Sequence, residues 1–270
     1  MFDINNQDFT RLVSFVKENY GINLINKRQL ITGRLSPVLS GMGYTNFTDY
    51  VDHILNNSEK EDIDLLLNRL TTNYTFFMRE VNHFEYFMDT VLPWLEKTKK
   101  DKTLSIWSAG CSSGQEPYTL SMLMKEYFGS AFSNWDTRIL ATDISLQALS
   151  LAQKAVYSGE SLESMPKDFK SKYFTKTSTP NQYQVVSEIR ENVLFRTFNL
   201  MEPIQFKRRF DVIFCRNVMI YFDQTTKDNL CKRFFNATNQ GGYLFIGHSE
   251  NITSQNLPYE HVMPSTYRKP

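Results

Sequence analysis

Apolar side chains recur every three or four residues near the N-terminus, at Phe9, Leu12, Val13, Val16 and Tyr20. This spacing predicts an amphipathic helix, which Gly21 would end. A second helix is predicted over residues 26–40, and Ser58 with Glu61 forms a capping box that predicts the start of a third. Residues 1–90 are therefore expected to form an all-α domain.

Beyond residue 102 the pattern changes to short apolar runs separated by segments of helical length. Five runs are predicted to be strands: residues 104–109, 138–142, 193–198, 210–215 and 243–247. Helices are predicted over residues 115–128, 145–155 and 224–238. Strands that alternate with helices indicate a doubly wound, Rossmann-like α/β domain.

Two polar segments interrupt this alternation. Residues 97–102 carry alternating charges, and we expect a linker over residues 91–102, followed by the α/β domain at residues 103–270. Residues 158–190 contain short alternating runs around Pro180. These runs favour a small inserted β-subdomain, either a hairpin or a three-stranded sheet.

The composition is that of an ordinary globular protein, since 41% of the 270 residues are hydrophobic. A formal net charge of +1 gives no reason to expect nucleic-acid binding, which usually shows as a strongly basic domain. The three cysteines include no CxxC pair, which argues against a disulfide framework and a cysteine-rich zinc site. There is neither a signal peptide nor a membrane-length apolar run, so we expect a cytoplasmic protein without direct membrane insertion.

The run FDVIFCRNVMIYFD at residues 210–223 contains the sharpest change of pattern. Its apolar strand stops abruptly, and Arg216 and Asn217 follow. Open α/β sheets bind ligands at the carboxyl ends of such strands. A strand that runs into an ordinary polar loop is the alternative for this segment alone.

A glycine turn follows the first predicted strand. Gly110 and Gly114 bracket a tight turn that leads into a helix, where a ligand can approach the backbone closely. The next strand ends in Asp143, where doubly wound nucleotide binders hold the two ribose hydroxyls. Both signals have alternatives, because the glycines also suit a turn without a ligand and Asp143 also suits a helix N-cap.

Glu116, in the first turn of that helix, separates two classes of nucleotide-binding enzyme. An acidic residue would repel the pyrophosphate of a dinucleotide, and the glycine spacing differs from the G-x-G-x-x-G that binds it. The same carboxylate would attract the α-ammonium group of S-adenosylmethionine. Complementing the helix dipole is its alternative role.

The segment LTTNYTFFMRE at residues 70–80 breaks the helical pattern before the α/β domain. Its paired aromatic residues and Arg79 suit a segment that packs its rings and directs a guanidinium group. A connector that packs against the core, with one solvated arginine, is equally compatible with the pattern.

Six segments together resemble the bacterial chemotaxis receptor methyltransferase (CheR) family. They are TNYTFFMRE at 72–80, WSAGCSSGQEPYTLSML at 107–123, ATDIS at 141–145, FNL at 198–200, FDVIFCRNVMIYF at 210–222 and GGYLFIGHSE at 241–250. The resemblance covers nearly the whole chain and implies the domain arrangement predicted above. It also implies an enzyme that uses S-adenosylmethionine, and no metal, to form methyl esters on glutamates of chemoreceptor cytoplasmic domains during sensory adaptation.

Matching by motif assigns the candidate site residues. The cofactor pocket would be formed by Asn73, Thr75, Arg79, Gly110, Glu116, Asp143, Asn199, Leu200, Arg216, Asn217 and Tyr221. The resemblance implies that Glu116 lies near the methionine end and Asp143 on the ribose. Asn199 and Leu200 would lie by the adenine.

Two of these residues are predicted to be catalytic. Arg79 would orient the substrate carboxylate, and Tyr221 would reach the transferring methyl group, although Tyr221 also suits a packing role beside Phe222. A glutamate side chain with a pKa near 4.3 is already ionised at neutral pH, so no general base is required. We therefore predict a structural role for His248.

The candidate patch for binding the receptor helical bundle is a basic cluster on the second predicted helix. It consists of Lys27, Arg28 and Arg34. Residues 1–90 carry 8 basic and 12 acidic groups, a net charge of −4, so this cluster stands against an acidic background. Electrostatic docking would make methyl transfer fall steeply with salt. A solvated helix face is the alternative.

One departure from the family concerns the inserted subdomain. Family members that grip a peptide tether at the receptor C-terminus resemble one another in a glycine-containing hairpin loop, whereas residues 172–190 contain no glycine. We therefore predict an enzyme that does not depend on a C-terminal pentapeptide tether. We also expect a monomer. Two rival interpretations stay open: a methyltransferase with another acceptor, and a catalytically silent cofactor-binding module.

Overall fold

A seven-stranded sheet forms the centre of the chain in this computed structural model, which describes residues 2–252 and 257–270. The strands are β1 (Ile106–Ala109), β2 (Ile139–Asp143), β3 (Val156–Ser158), β4 (Phe174–Lys176), β5 (Gln182–Val185), β6 (Val193–Thr197), β7 (Phe210–Cys215), β8 (Thr238–Ile246), β9 (Glu260–Met263) and β10 (Thr266–Arg268). The large sheet has the order β6-β2-β1-β7-β8-β10-β9. Its first five strands are parallel, and β10 is antiparallel to both neighbours.

Helices precede the sheet and cover both of its faces. They are α1 (Asn6–Tyr20), α2 (Arg28–Gly41), α3 (Phe47–Asn56), α4 (Lys60–Leu70), α5 (Val81–Tyr86), α6 (Leu92–Thr98), α7 (Gln115–Phe128), α8 (Leu146–Lys154), α9 (Lys167–Tyr173), α10 (Ser187–Glu191) and α11 (Gln224–Ala237). A π-helical turn, Phe87–Val91, joins α5 to α6. Within the described residues, none of these helices has the length and apolar character needed to cross a membrane.

Side chains of β7 alternate between two hydrophobic cores. Val212 and Phe214 belong to the core that includes α5, α6, α7 and the β-subdomain, whereas Ile213 and Cys215 belong to the core that joins α11 to α1–α4. All six residues of β7 are buried. A strand buried on both faces is expected to be nearly continuous in apolar residues, and the run Val212–Phe214 is the pattern that predicted this element.

The N-terminal helices confirm the helical periodicity with two differences. Helix α1 ends at Gly21, whose φ of +73° gives a left-handed cap. The predicted capping box is wrong by one residue, because Glu59 and Asp62 form it and the Glu59 N–H donates to Asp62 Oδ2 at 2.9 Å. Helix α3 was not predicted.

The predicted linker over residues 91–102 is largely helical. Helix α6 occupies most of it, and its Leu92 and Leu95 are fully buried in the core beside α7. The alternating charges that suggested a linker lie at the end of this helix and after it. Residues 91–95 are apolar and pack in the core, so only the residues after α6 remain as a polar connection.

The predicted insertion contains a three-stranded antiparallel sheet of order β3-β5-β4. It contacts the segment before α5 through Phe77, whose ring centre is 4.9 Å from that of Tyr157 and 5.3 Å from that of Phe174. Ser164 Oγ donates to the Phe77 carbonyl at 2.7 Å. The subdomain thus supports the segment that carries Arg79.

Candidate active site

A cavity lies at the carboxyl ends of β1, β2 and β7, where parallel strands of an open sheet leave a crevice. It encloses about 1000 Å³ of space, counting its open mouth. The lining includes every residue predicted to bind the cofactor: Asn73, Thr75, Arg79, Gly110, Glu116, Asp143, Asn199, Leu200, Arg216, Asn217 and Tyr221. Tyr20 and Ile22 also line it, so the end of α1 completes a cavity that belongs mainly to the sheet.

The turn after β1 approaches the loop after β7 closely. Gly110 has a φ of +86°, and a Cβ atom there would lie 2.3 Å from Cγ2 of Val218. The N–H groups of Gly110 and Cys111 donate to the Thr142 carbonyl at 2.8 and 2.9 Å. Glycine is needed because the left-handed backbone and the close approach both exclude a side chain.

Asp143 ends β2 with its carboxylate bound to backbone. Oδ2 accepts from the Ser112 N–H at 2.7 Å, and Oδ1 accepts from the Ser145 N–H at 2.9 Å. Ser145, not Asp143, is the N-cap of α8, because its side chain accepts from the Ala148 N–H. Burial raises the pKa of Asp143, and the backbone N–H groups oppose that shift.

Arg216, directly after β7, lies between two carboxylates. Its Nη1 is 3.2 Å from Oε2 of Glu116, and its Nε and Nη2 are 3.2 and 3.1 Å from Oε2 of Glu80. Nη2 also donates to the Arg79 carbonyl, and the guanidinium carbon is 4.9 Å from the ring centre of Phe84. The side chain is 3% exposed, so the two glutamates balance its charge in place of water.

The two glutamates respond differently to this shared arginine. Burial raises the pKa of Glu116 despite the neighbouring guanidinium. Burial also acts on Glu80, but Arg216 and the hydrogen bonds from Asn217 Nδ2 and the His248 N–H outweigh it and lower the pKa of Glu80. Glu116 is therefore the carboxylate that a cationic ligand would most help to ionise.

Arg79 lies at the exposed rim of the cavity. Its guanidinium carbon is 5.8 Å from the ring centres of both Tyr74 and Phe76, and its Nη1 donates to the Tyr74 carbonyl at 2.8 Å. No acidic side chain in the described part of the chain pairs with Arg79. Its charge is thus available to an anionic group that enters the cavity.

Asn199, Leu200 and Tyr221 lie where the cavity meets the N-terminal helices. Asn199 Nδ2 donates to the Asn19 carbonyl at 2.8 Å, and its Oδ1 accepts from the Met201 N–H at 3.0 Å. The side-chain amide of Asn199 is therefore already hydrogen-bonded to the protein through both its nitrogen and its oxygen. The Tyr221 carbonyl accepts from Asn23 N–H at 2.8 Å, while its partly exposed side chain lines the cavity.

Left-handed backbone conformations cluster around the cavity. Met78, Glu80, Ser112 and Asn217 have φ values of 59°, 58°, 49° and 59°. Such conformations are unfavourable for residues with a Cβ atom and concentrate at functional sites. Loops from three parts of the sequence therefore hold the lining in a defined shape.

Sequence reasoning did not single out two glutamates beside the cavity, the partly buried Glu80 and the buried Glu250. Glu80 binds Arg216 and Asn217, as described above. Glu250 is 6% exposed and accepts hydrogen bonds from three backbone N–H groups. Each ends a segment that carries the family resemblance, and that position was the available signal.

The predicted receptor patch is not a set of three equivalent surface charges. Lys27 is exposed, but Arg28 donates to the Ile4 carbonyl and Arg34 donates to the carbonyl oxygens of residues 69–71. Both arginines thus hold the N-terminal helices together. A role of the patch in receptor binding stays a prediction.

Two buried cysteines and one cluster of potential metal ligands also lie near the cavity. Burial raises the pKa of the Cys111 and Cys215 thiols, which disfavours either as a nucleophile. Glu80, His83 and His248 bring one potential metal ligand atom each within 4.8 Å of one another. The absence of a metal from the reaction stays a prediction.

Comparison with known proteins agrees with the geometry. The family model "CheR methyltransferase, all-alpha domain" matches residues 7–71, and "CheR methyltransferase, SAM binding domain" matches residues 73–268. The chemotaxis protein methyltransferase of Borreliella burgdorferi is 39% identical over 272 residues, which cover 99% of this chain and 95% of that protein. Chemotaxis protein methyltransferase 2 of Pseudomonas aeruginosa is 37% identical, covering 93% and 89%.

More distant similarity is also present. The chemotaxis protein methyltransferase of Escherichia coli is 32% identical over 254 residues, covering 93% of this chain and 86% of that protein. The structure of magnesium protoporphyrin IX methyltransferase from Synechocystis PCC 6803 is 16% identical, with a TM-score of 0.32, covering 71% of this chain and 60% of that chain. The assignment rests on the family models and the sequence relatives. The chain belongs to the CheR family of S-adenosylmethionine-dependent chemotaxis methyltransferases.

Proposed function

We propose that this protein transfers the methyl group of S-adenosylmethionine to glutamate side chains in the cytoplasmic domains of chemoreceptors, giving glutamyl methyl esters. The observation that carries the proposal is that eleven candidate residues from five separate segments line one cavity. Membership in a family of chemotaxis methyltransferases supports it. The reaction belongs in the cytoplasm, where these receptor domains lie.

The lining fits S-adenosylmethionine better than a dinucleotide. Glu116 and Asp143 place two carboxylates in the cavity, and Leu200 and Phe222 add apolar surface. Carboxylates attract ammonium and sulfonium groups and accept hydrogen bonds from ribose hydroxyls, but they repel pyrophosphate. Arg216 does not reverse this preference, because Glu80 and Glu116 already balance its charge.

Positioning is the main task of the protein in this reaction. S-adenosylmethionine, when bound, supplies an electrophilic methyl group on a positively charged sulfur. The acceptor glutamate is already ionised, so the protein must hold its carboxylate in line and exclude water, which would stabilise the separated charges. Such positioning and water exclusion contribute on the order of several kcal/mol.

Six of the candidate residues are assigned roles in this reaction. Arg79, which has no acidic partner among the described residues, orients the acceptor carboxylate. Tyr221 directs its phenol oxygen to the methyl group, and Glu116 binds the cationic methionine end. Asp143 binds the ribose hydroxyls, and Asn199 belongs with Leu200 at the adenine.

Receptor binding is assigned to the exposed Lys27 at the start of α2 and the surface around it. Dependence on a C-terminal receptor tether is not expected, because the turn between β4 and β5 contains no glycine and is closed by Thr177 N–H donating to the Gln182 carbonyl at 3.0 Å. Measurable affinity for an isolated receptor-tail pentapeptide would contradict this part of the proposal.

The deciding experiment uses methyl-labelled S-adenosylmethionine and purified chemoreceptor cytoplasmic domains. After incubation with the protein, mild alkali should release the label as volatile methanol, and the release should require receptor. A methyl ester is alkali-labile, whereas a methylated amine or amide nitrogen is not. Absence of release from a protein that binds the cofactor would indicate another acceptor or a silent binding module.

A further inference from the structure

We infer that Glu250 is a positioning residue for methyl transfer, which acts through the backbone of the loop that carries Asn217 and Tyr221. Glu250 lies in the turn after β8 and is not among the described residues that line the cavity. The inference rests on the proposed function only in taking this cavity as the place of methyl transfer. The contacts of Glu250 that support it are all with other residues of this chain.

The carboxylate of Glu250 joins two loops at the carboxyl edge of the sheet. Oε2 accepts from the Asn217 N–H at 3.1 Å and from the Gly247 N–H at 2.6 Å. Oε1 accepts from the Ile220 N–H at 3.0 Å. One side chain therefore fixes the loop after β7 against the turn after β8.

Backbone donors are what hold this charge in the interior. Glu250 forms no ion pair with a lysine, arginine or histidine in the described chain, although it is 6% exposed. A buried carboxylate needs several donors, and here three N–H groups supply them. A glutamine would place an amide N–H₂ where one oxygen now accepts, and at least one backbone N–H would lose its partner.

Asn217 shows why the position of this loop matters. Its φ of 59° lies in the left-handed region, which asparagine tolerates better than most residues with a side chain, and hydrogen bonds from both ends of the residue fix it there. Glu250 holds its backbone, and Glu80 accepts from its Nδ2 at 3.1 Å. The fit against Gly247 is also close, since a Cβ atom on Gly247 would lie 2.4 Å from Asn217 Nδ2.

The Ile220 N–H extends the same control to Tyr221. It lies within the single turn Met219–Tyr221, whose direction sets where the next side chain enters the cavity. Glu250 therefore fixes the backbone before and after Val218. Two cavity residues are positioned by a side chain that does not itself line the cavity.

The test compares Glu250→Gln with Asp211→Asn. Asp211 is a fully buried carboxylate at the opposite end of β7, and it accepts from the Ser105 N–H at 2.9 Å. Asp211 also accepts from Asn239 Nδ2 at 2.7 Å and pairs with Lys99 Nζ at 2.5 Å, so its substitution should cost stability. Both substitutions alter a buried carboxylate that accepts from backbone N–H, but only Glu250→Gln acts on the cavity loop. Glu250→Gln should weaken binding of S-adenosylhomocysteine, measured by calorimetry, by roughly tenfold, a loss comparable to one hydrogen bond to a charged group.

Turnover at saturating cofactor should also fall in Glu250→Gln, whereas Asp211→Asn should lower the melting temperature with cofactor affinity and turnover unchanged. Loss of thermal stability alone in both variants would overturn the inference.

Amide hydrogen exchange of the unsubstituted protein supplies a second readout if Glu250→Gln does not fold. The amides of Asn217, Ile220 and Gly247 should be protected without cofactor, and exchange at unprotected rates would overturn the inference.

These readouts are independent of the methyl acceptor. If no glutamyl ester forms on receptors, the proposed function fails, but the binding and exchange results still decide the role of Glu250. If esters form while Glu250→Gln binds and turns over normally, only the positioning role fails.

Discussion

Nη1 of Arg216 lies 3.2 Å from Oε2 of Glu116, and this contact joins the loop after β7 to the first turn of α7. The same guanidinium binds Glu80, which precedes α5. Three charged side chains from distant parts of the sequence therefore form one buried network beside the cavity. Because each charge depends on the others, the network affects both stability and ligand binding.

Arg216→Met should destabilise the fold strongly, because it leaves Glu80 and Glu116 without their shared cation. Breaking a buried ion pair from one side typically costs about 3–5 kcal/mol in the free energy of unfolding. Urea denaturation measures the loss. Arg138→Met is the control, since its pair with Asp136 is on the surface and should change stability by less than about 1 kcal/mol. Equal losses in the two variants would contradict the network.

Gly110→Ala and Gly33→Ala should have opposite effects. Alanine at Gly110 meets a strained φ and a contact of 2.3 Å with Val218, so stability should fall by about 1–3 kcal/mol and cofactor binding should weaken. Gly33 lies inside α2 with no atom near its missing Cβ, so alanine should stabilise the protein by up to about 1 kcal/mol. Thermal unfolding checks both signs, and a neutral Gly110→Ala would refute the close approach.

Affinity for S-adenosylmethionine should weaken as the pH is lowered, over a range that lies above the ordinary pKa of glutamate. Burial raises the pKa of Glu116, so this carboxylate takes up a proton at a higher pH than in the unfolded chain and no longer attracts the cationic cofactor. The contribution of Glu116 to the stability of the cofactor-free protein has the opposite pH dependence. The contribution of Glu116 is fully present below its unfolded pKa and is lost as pH rises through the raised value.

Calorimetric titrations between about pH 5 and pH 8 test this dependence. Glu116→Gln should bind weakly throughout and show a flatter pH profile, with the remaining slope due to Asp143, whose pKa burial also raises. An unchanged slope in Glu116→Gln would rule out the assignment of Glu116 to the cationic end of the cofactor.

His83 should make the fold sensitive to mild acid. Burial, assisted by the nearby Arg216, lowers the pKa of His83 from 6.5 to about 4. The unfolded state then binds a proton that the folded state does not, so this contribution to stability is lost as pH falls from about 6.5 towards 4. At pH 5 the loss is about 2 kcal/mol.

His83→Gln should therefore lose less stability than the unsubstituted protein when urea denaturation is repeated at pH 7 and pH 5. His261→Gln, which removes an exposed histidine, is the control and should keep the original difference. The same acid sensitivity in all three proteins would show that His83 is not its source.

Arg79→Ala and Tyr221→Phe should separate cofactor binding from turnover. Both should still bind S-adenosylhomocysteine detectably, because Glu116 and Asp143 remain, but methyl transfer to receptors should fall by roughly tenfold or more if positioning is lost. Tyr183→Phe, in the β-subdomain, is the control for loss of a phenol hydroxyl. Full activity in both site variants would contradict the catalytic roles assigned to Arg79 and Tyr221.

Much of the framework followed from the sequence alone. Strand β7 and helix α7 lie where their patterns predicted them, because a doubly buried strand needs a mostly apolar run and a helix after a glycine turn begins at a defined residue. The ordered motifs also identified the family. All eleven predicted pocket residues line one cavity. Eight of them lie at or after the carboxyl ends of β1, β2, β6 and β7, which meet at the same edge of the sheet, whereas Asn73, Thr75 and Arg79 come from the segment before α5.

Tertiary structure alone decided the partners of the charged groups. No local pattern shows that Glu80 binds Arg216, that Glu250 binds the backbone around Val218, or that Arg34 caps α4, because each contact joins segments that are far apart in the sequence. Helix α6 was missed because the linker prediction rested on the charged residues 97–102, whereas the preceding leucines are buried in the core. Periodicity specifies elements, whereas the pairing of buried charges depends on which loops the folded sheet brings together.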